Sequence, residues 1–182
     1  MTKNLCVVDP GHGGRDCGAV GGEGGLYEKA AALAIARMLY DELYARGFDV
    51  LMTRDSDEYL TLGERCRIAN EAGADIFVSI HCNSSTNKDA RGIETFHAQT
   101  CSQTAKDLAA AVQKRLIEAT GARDRGVKSA DYYVLKGTKA PAILVECGFI
   151  SNSEEAQMLF KSSYQRTLAK AIADGVAAVL EA

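Results

Sequence analysis

An α/β fold built on a mostly parallel sheet is the architecture this sequence predicts. Short apolar runs rich in valine and isoleucine alternate with amphipathic helical patterns along the chain. Two of those runs, residues 75–81 and 142–146, are nearly continuous in apolar side chains, as expected of central strands covered on both faces. No internal repeat or low-complexity tract breaks the alternation. With 182 residues and 47% hydrophobic side chains, the chain has the length and core material of one domain. The expectation is a single domain over residues 1–182, a twisted, mostly parallel sheet with helices on both faces.

The elements follow in order. Leu5-Cys6-Val7-Val8 reads as a first strand, with a charged, glycine-rich exit, Asp9-Pro10-Gly11-His12-Gly13-Gly14. Residues 18–25 form a glycine-rich loop. Residues 27–46 are helical, because Ile35, Met38, Leu39 and Leu43 recur at helical spacing and Gly47 stops the pattern. A short strand covers 48–52. Thr61 and Glu64 make a capping-box pattern that opens a helix ending near Gly73. Strands are read at 75–81 and 92–97, then a helix at 102–119 with Leu108, Val112 and Leu116 in line. Residues 132–135 and 142–146 read as strands. A short helix at 154–160 precedes a long one at 164–180, whose buried stripe is Leu168, Ile172, Val176 and Val179.

Bulk properties exclude several classes. A net charge of −3 argues against a general nucleic-acid binder. No apolar run approaches the length of a membrane span, so no membrane insertion is expected. The six cysteines contain no C-x-x-C pair, which disfavours a cysteine-rich metal knot. They are expected to be reduced thiols in a protein made in the cytoplasm, and no signal peptide is visible before the first strand. The chain is expected to act as a monomer.

Four side chains stand where a parallel sheet gathers its chemistry. His12 follows the first strand, His81 closes the strand at 75–81, and Glu146 closes the strand at 142–146. Carboxyl ends of parallel strands share one edge, so these groups can converge. Glu28 lies in the first turn of the helix that the His12 loop leads into, at the same edge. Two histidines and a carboxylate are a usual zinc set for hydrolysis, with a further position left for water. A second carboxylate can then move the proton. Strand alternation sets Cys82 and Cys147 on the opposite face, as packing residues.

Other readings of the same residues are structural. His12 could simply sit in a turn between strand and helix. A phosphate or dinucleotide loop fails, since no Gly-Lys-Ser/Thr follows and the last glycine of the dinucleotide pattern is missing. Glu28 alone would suit a helix N-terminus. His81 alone could be a core histidine. His97 has no motif around it and reads as structural or exposed. The loop 84–91, with Lys88, Asp89 and Arg91, reads first as a solvated face and second as a substrate rim.

Taken together, Asp9-Pro-Gly-His-Gly-Gly14, Glu28, Ser79-Ile-His-Cys-Asn83 and Val145-Glu-Cys-Gly-Phe-Ile-Ser-Asn152 resemble the successive motifs of zinc-dependent N-acetylmuramoyl-L-alanine amidases of the Amidase_3 type. The resemblance extends to Thr53-Arg54, Leu62-Gly-Glu-Arg65 with Ala69-Asn70, Arg125-Gly-Val127 and Tyr133-Val-Leu135, and so covers nearly the whole chain. It implies that His12, Glu28 and His81 hold Zn2+ and that Glu146 is the catalytic carboxylate. It implies peptidoglycan as substrate and cleavage of the amide between N-acetylmuramic acid and L-alanine. A phage-type endolysin, or a piece of an exported wall enzyme, would fit such a substrate. Cys82 stands where small residues are common in the family. Between Phe96 and Gly126 there is room for only one ordinary helix, so an open site is expected where some relatives carry a plugging insertion. A non-catalytic wall-binding module and a zinc hydrolase of another amide are the alternatives.

Overall fold

The computed structural model describes residues 3–22 and 25–181; Met1, Thr2, Ala182 and the Glu23-Gly24 part of the glycine-rich loop lie outside them. One six-stranded sheet organises the chain. Its strands are β1 (Leu5–Pro10), β4 (Asp49–Met52), β5 (Ile76–Asn83), β6 (Ile93–His97), β7 (Asp124–Ser129) and β8 (Ala142–Phe149). They lie in the order β4-β1-β5-β8-β6-β7. A separate antiparallel pair, β2 (Val20–Gly21) and β3 (Leu26–Tyr27), turns the glycine-rich loop into a small hairpin. The helices are α1 (Glu28–Ala45), α2 (Leu62–Ala72), α3 (Gln103–Thr120), α4 (Tyr133–Gly137), α5 (Ser153–Leu159) and α6 (Ser162–Leu180).

Four of the five strand pairings are parallel; β6 runs antiparallel to β8. That single reversal moves the ends of β6. His97, at its carboxyl end, falls on the edge away from His81 and Glu146. Glu94, near its start, comes to lie opposite Glu146.

Side chains alternate between two faces of different character. Ile76, Val78, Ile80 and Cys82 of β5, and Ile143, Val145 and Cys147 of β8, enter one large apolar cluster. α1, α3 and α6 cover it with Ile35, Leu39, Leu108, Leu116, Leu168 and Ile172, all with no exposed surface. Each such side chain contributes roughly 1.5–3 kcal/mol by leaving water. The other face carries Val7, Phe77, Leu144 and Phe96 in a smaller cluster under α2 and α4. On that face the alternation continues with Asp9, Ser79, His81 and Glu146 toward one edge. Cys82 and Cys147 therefore pack away from them, as expected, and both thiols are pushed upward chiefly by burial.

Local sequence accounts for most ends. α2 opens on the reciprocal Thr61–Glu64 capping box and closes on Gly73, whose φ of 68° suits glycine. Three details depart from expectation. Residues 132–135 are not a strand: they lie in and just before the short helix α4. A strand would send Val134 and Leu135 to opposite faces, whereas one helical turn buries both in the smaller cluster. β7 was hidden by its polarity, as an edge strand of Asp, Arg, Gly and Lys. β8 runs on past Glu146 to Phe149.

Candidate metal centre

The loop after β1 is bent so that His12 faces back across the sheet edge. Its φ is 60°, the one left-handed non-glycine value among the described residues. Histidine adopts that region at a cost, so something must hold it there. Two buried arginines do so. Arg65 donates to the carboxylate of Asp9 (2.8 Å) and to the carbonyls of Pro10 (2.6 Å) and His12 (2.6 Å). Arg54 donates to the carbonyls of Pro10 (3.0 Å), Gly11 (2.8 Å) and Lys29 (3.0 Å). Arg54 thus ties the His12 loop to the first turn of α1, where Glu28 sits. Asp9 is completed by Thr53 and Ser79, whose hydroxyls donate to its two oxygens. Every member of this network is buried and satisfied, the condition under which buried charge is tolerated.

The four expected side chains converge. Oε1 of Glu28 lies 3.1 Å from Nε2 of His12 and 3.0 Å from Nδ1 of His81. One ligand atom from each of the three lies within 4.8 Å of the others. Donors bonded tetrahedrally at 2.0–2.1 Å would stand about 3.3 Å apart. Neutral imidazoles and a carboxylate are also the right donor types, so the set fits a metal ion. The free ring nitrogen of His12, Nδ1, is 2.9 Å from Asp16 Oδ2, the outer partner that fixes tautomer and ring plane in metal-ligating histidines. Glu28 accepts from the backbone N–H of Ala19 (2.8 Å) and Cys82 (3.0 Å). No room is spare: a β-carbon on Gly11 would lie 2.2 Å from the His81 ring, and one on Gly18 2.6 Å from the Glu28 carboxylate.

Without a metal the charges lean on one another. Burial lowers the His12 pKa, but hydrogen bonds and charge from Glu28 and Asp16 outweigh it and raise the group to about 9. Burial opposes ionisation of Glu28, yet the two histidines hold it well below the usual carboxylate range. Glu146 lies beside His81 in the β5–β8 register. Burial pushes it up to about 7, with the Glu28 and Glu94 charges adding to the effect and His81 opposing it. Its Oε2 atom is enclosed and has no hydrogen-bond partner. A carboxyl poised near neutrality with a free oxygen is suited to receive and return a proton.

All four side chains line one cavity of about 550 Å3, whose lining also includes Tyr59, Leu62, Tyr132 and Tyr133. α3, which fills the stretch between β6 and β7, packs on α6 and β6 and contributes nothing to the lining. The family model for N-acetylmuramoyl-L-alanine amidase, Amidase_3, matches residues 6–178. The chain belongs to this amidase family. Its reaction is hydrolysis of the amide that joins N-acetylmuramic acid to L-alanine in peptidoglycan.

Similar proteins agree. The chain is 40% identical over 176 residues to the N-acetylmuramoyl-L-alanine amidase LytC of Bacillus subtilis, covering 96% of this chain but 35% of that protein. It is 40% identical over 187 residues to an endolysin of Bacillus phage SPP1, covering 99% of this chain and 67% of that one. The crystal structure of an N-acetylmuramoyl-L-alanine amidase from Clostridium difficile superposes with a TM-score of 0.97 at 36% identity, over 100% of this chain and 99% of that one.

Some residues that shape this amidase site escaped the sequence reading. Asp16 is the partner of His12, and its signal was an acid four residues after a glycine-flanked histidine. Glu94 is buried beside Glu146 and holds Asn83 (2.6 Å), Arg125 (3.1 Å) and Lys128. A glutamate inside the apolar run of β6 was its only trace. His97 takes no part: its Nδ1 contacts the Ala98 carbonyl at 2.8 Å, away from the cavity.

Proposed function

We propose that the metal is zinc, that His12, Glu28 and His81 hold it, and that Glu146 is the proton carrier of the amide hydrolysis. The convergence of the three donor atoms beside the unpartnered Glu146 oxygen carries this reading. Zinc at such a site supplies Lewis acidity, polarising a carbonyl oxygen and making water easier to deprotonate. The chain supplies the rest. Asp16 orients His12 through Nδ1. The Ala19 and Cys82 amides fix the Glu28 carboxylate. Glu146 takes a proton from the attacking water at Oε2 and delivers it to the alanine nitrogen as the amide breaks. In the metal-free protein burial already raises its pKa, which favours keeping the proton it must later return. The open cavity needs no displacement of a covering helix before substrate enters. The substrate lies outside the cytoplasmic membrane, so in this reading the protein acts at the wall, as a phage-type lysin or a wall-remodelling enzyme does.

The experiment is mass spectrometry of purified wall digested with and without a chelator. The expected result is new L-alanine amino termini and intact lactyl groups, abolished by chelation and restored by zinc. Cleavage at another bond, or undiminished cleavage after full metal removal, would overturn the reading.

A further inference from the structure

Beside the metal cavity runs a second groove of about 830 Å3 that none of these roles uses. The hairpin contributes Val20, the loop after β5 contributes Lys88, Asp89 and Arg91, and Arg123 and Glu154 complete its charged lining. The two spaces are neighbours in the chain as well as in the fold. Ala19 and Ser84 line the metal cavity, while Val20 and Lys88 line the groove. Two hydrogen bonds tie the loop after β5 to the segment that follows β8. Ser85 N–H donates to Ser151 Oγ (2.9 Å), and the Asn152 amide donates to the Lys88 carbonyl (2.8 Å).

What marks this groove is uncommitted positive charge. The other cations near the metal centre are engaged: Lys29 with Asp57, Arg125 and Lys128 with Glu94, Arg65 with Asp9. Arg15 lies over the Tyr59 ring, and Arg54 is buried on carbonyls. Lys88, Arg91 and Arg123 are exposed and form no ion pair among the described residues. Among the described residues, three cations against Asp89 and Glu154 leave the groove net positive, on a chain whose net charge is −3.

The substrate is electrically lopsided in the matching way. Its N-acetylated sugars are neutral, and the lactyl carboxyl of muramic acid is consumed in the scissile amide. The stem peptide carries the free carboxylates. We propose that the groove is the stem-peptide subsite and that Arg91 and Arg123, assisted by Lys88, bind a peptide carboxylate. Guanidinium groups match a carboxylate's two oxygens and suit this task. The inference rests on the amidase function above, and its test keeps the two apart.

Wild type and the double variant Arg91→Gln/Arg123→Gln are compared on two soluble muramyl peptides. One has its stem carboxylates free; in the other they are converted to amides. Both arginines are exposed, and thermal unfolding confirms an unchanged fold. The double variant should raise KM for the free acid about tenfold, leave kcat within about twofold, and leave KM for the amidated substrate within about twofold. Arg91→Lys/Arg123→Lys should recover part of the loss. An equal change on both substrates, or none on the free acid, would overturn the groove assignment. Wild type inactive on both would overturn the function beneath it.

Discussion

The two faces of the sheet are made from alternate residues of the same strands, yet they are held together differently. Under α1, α3 and α6 the side chains of β5 and β8 are Ile76, Val78, Ile80, Ile143 and Val145, and nothing but apolar contact is needed. Under α2 and α4 the alternate set starts apolar, with Phe77 and Leu144. It becomes polar toward one edge, through Ser79 to His81 and Glu146. There stability depends on a few directed bonds, chiefly those of Arg54, Arg65 and Asp9. Apolar packing tolerates adjustment, whereas a buried ion pair that loses one member leaves an uncompensated charge. The first face can thus carry the fold while the second spends structure on placing reactive groups.

The sharpest test of this division is Glu146→Gln. It should lower kcat by about 10²–10⁴-fold. Zinc affinity and melting temperature should hold or rise, because a carboxyl raised by burial is an unfavourable guest. Release of alanine amino termini and calorimetry read the two effects. Concurrent collapse of the fold would show that the polar face also bears the core load.

Next in size, Arg65→Lys should cost about 3 kcal/mol or more, since one ammonium cannot reach the Asp9 carboxylate and both the Pro10 and His12 carbonyls. It should also weaken zinc binding, because the bond that helps hold the His12 backbone in its left-handed conformation is lost. Chelator competition on the folded variant measures it. Unchanged affinity would mean that His12 keeps its conformation unaided.

The metal-free protein offers a pH test. Glu28, held low, contributes stability present above about pH 4.5 and lost as pH falls below that. Glu146, raised to about 7, keeps a proton the unfolded chain has released, so stability falls as pH rises from 4.5 to 7. His12, raised to about 9, contributes stability that is full below pH 6.5 and lost as pH rises through 9. The melting temperature without metal should peak near pH 4.5–5 and decline toward pH 9. With zinc the trend should reverse, because ligation needs deprotonated histidines. A flat metal-free profile would show that these groups do not face one another before metal binds.

The smallest effect belongs to Cys82→Ala, one residue from His81 but on the apolar face. It should cost about 1 kcal/mol as a small cavity and leave zinc affinity untouched. A large change in metal binding would break the separation of the faces.

Glycines around a lone histidine, apolar runs ending in His81 and Glu146, and a glutamate opening a helix were legible because each is local. The strand period also placed Cys82 and Cys147 correctly. Residues 132–135 were misread because tyrosine, valine and leucine favour a strand, while the pocket under α2 needed Val134 and Leu135 on one side. Glu94 was unreadable as a neighbour of Glu146 because nothing local says that β6 runs backward.

By itself, then, the sequence determined the α/β class, the two-face alternation of the strands and the four side chains proposed for the chemistry. Those follow from periodicity and from residue types, which act over a few positions. Only the tertiary structure decided that β6 and β7 run against the other four strands, that Asp16 and Glu94 stand behind the proposed reactive groups, and that three cations from the 84–91 loop and the turn before β7 share one groove. These depend on which distant segments meet, and such meetings are settled by packing the whole sheet at once.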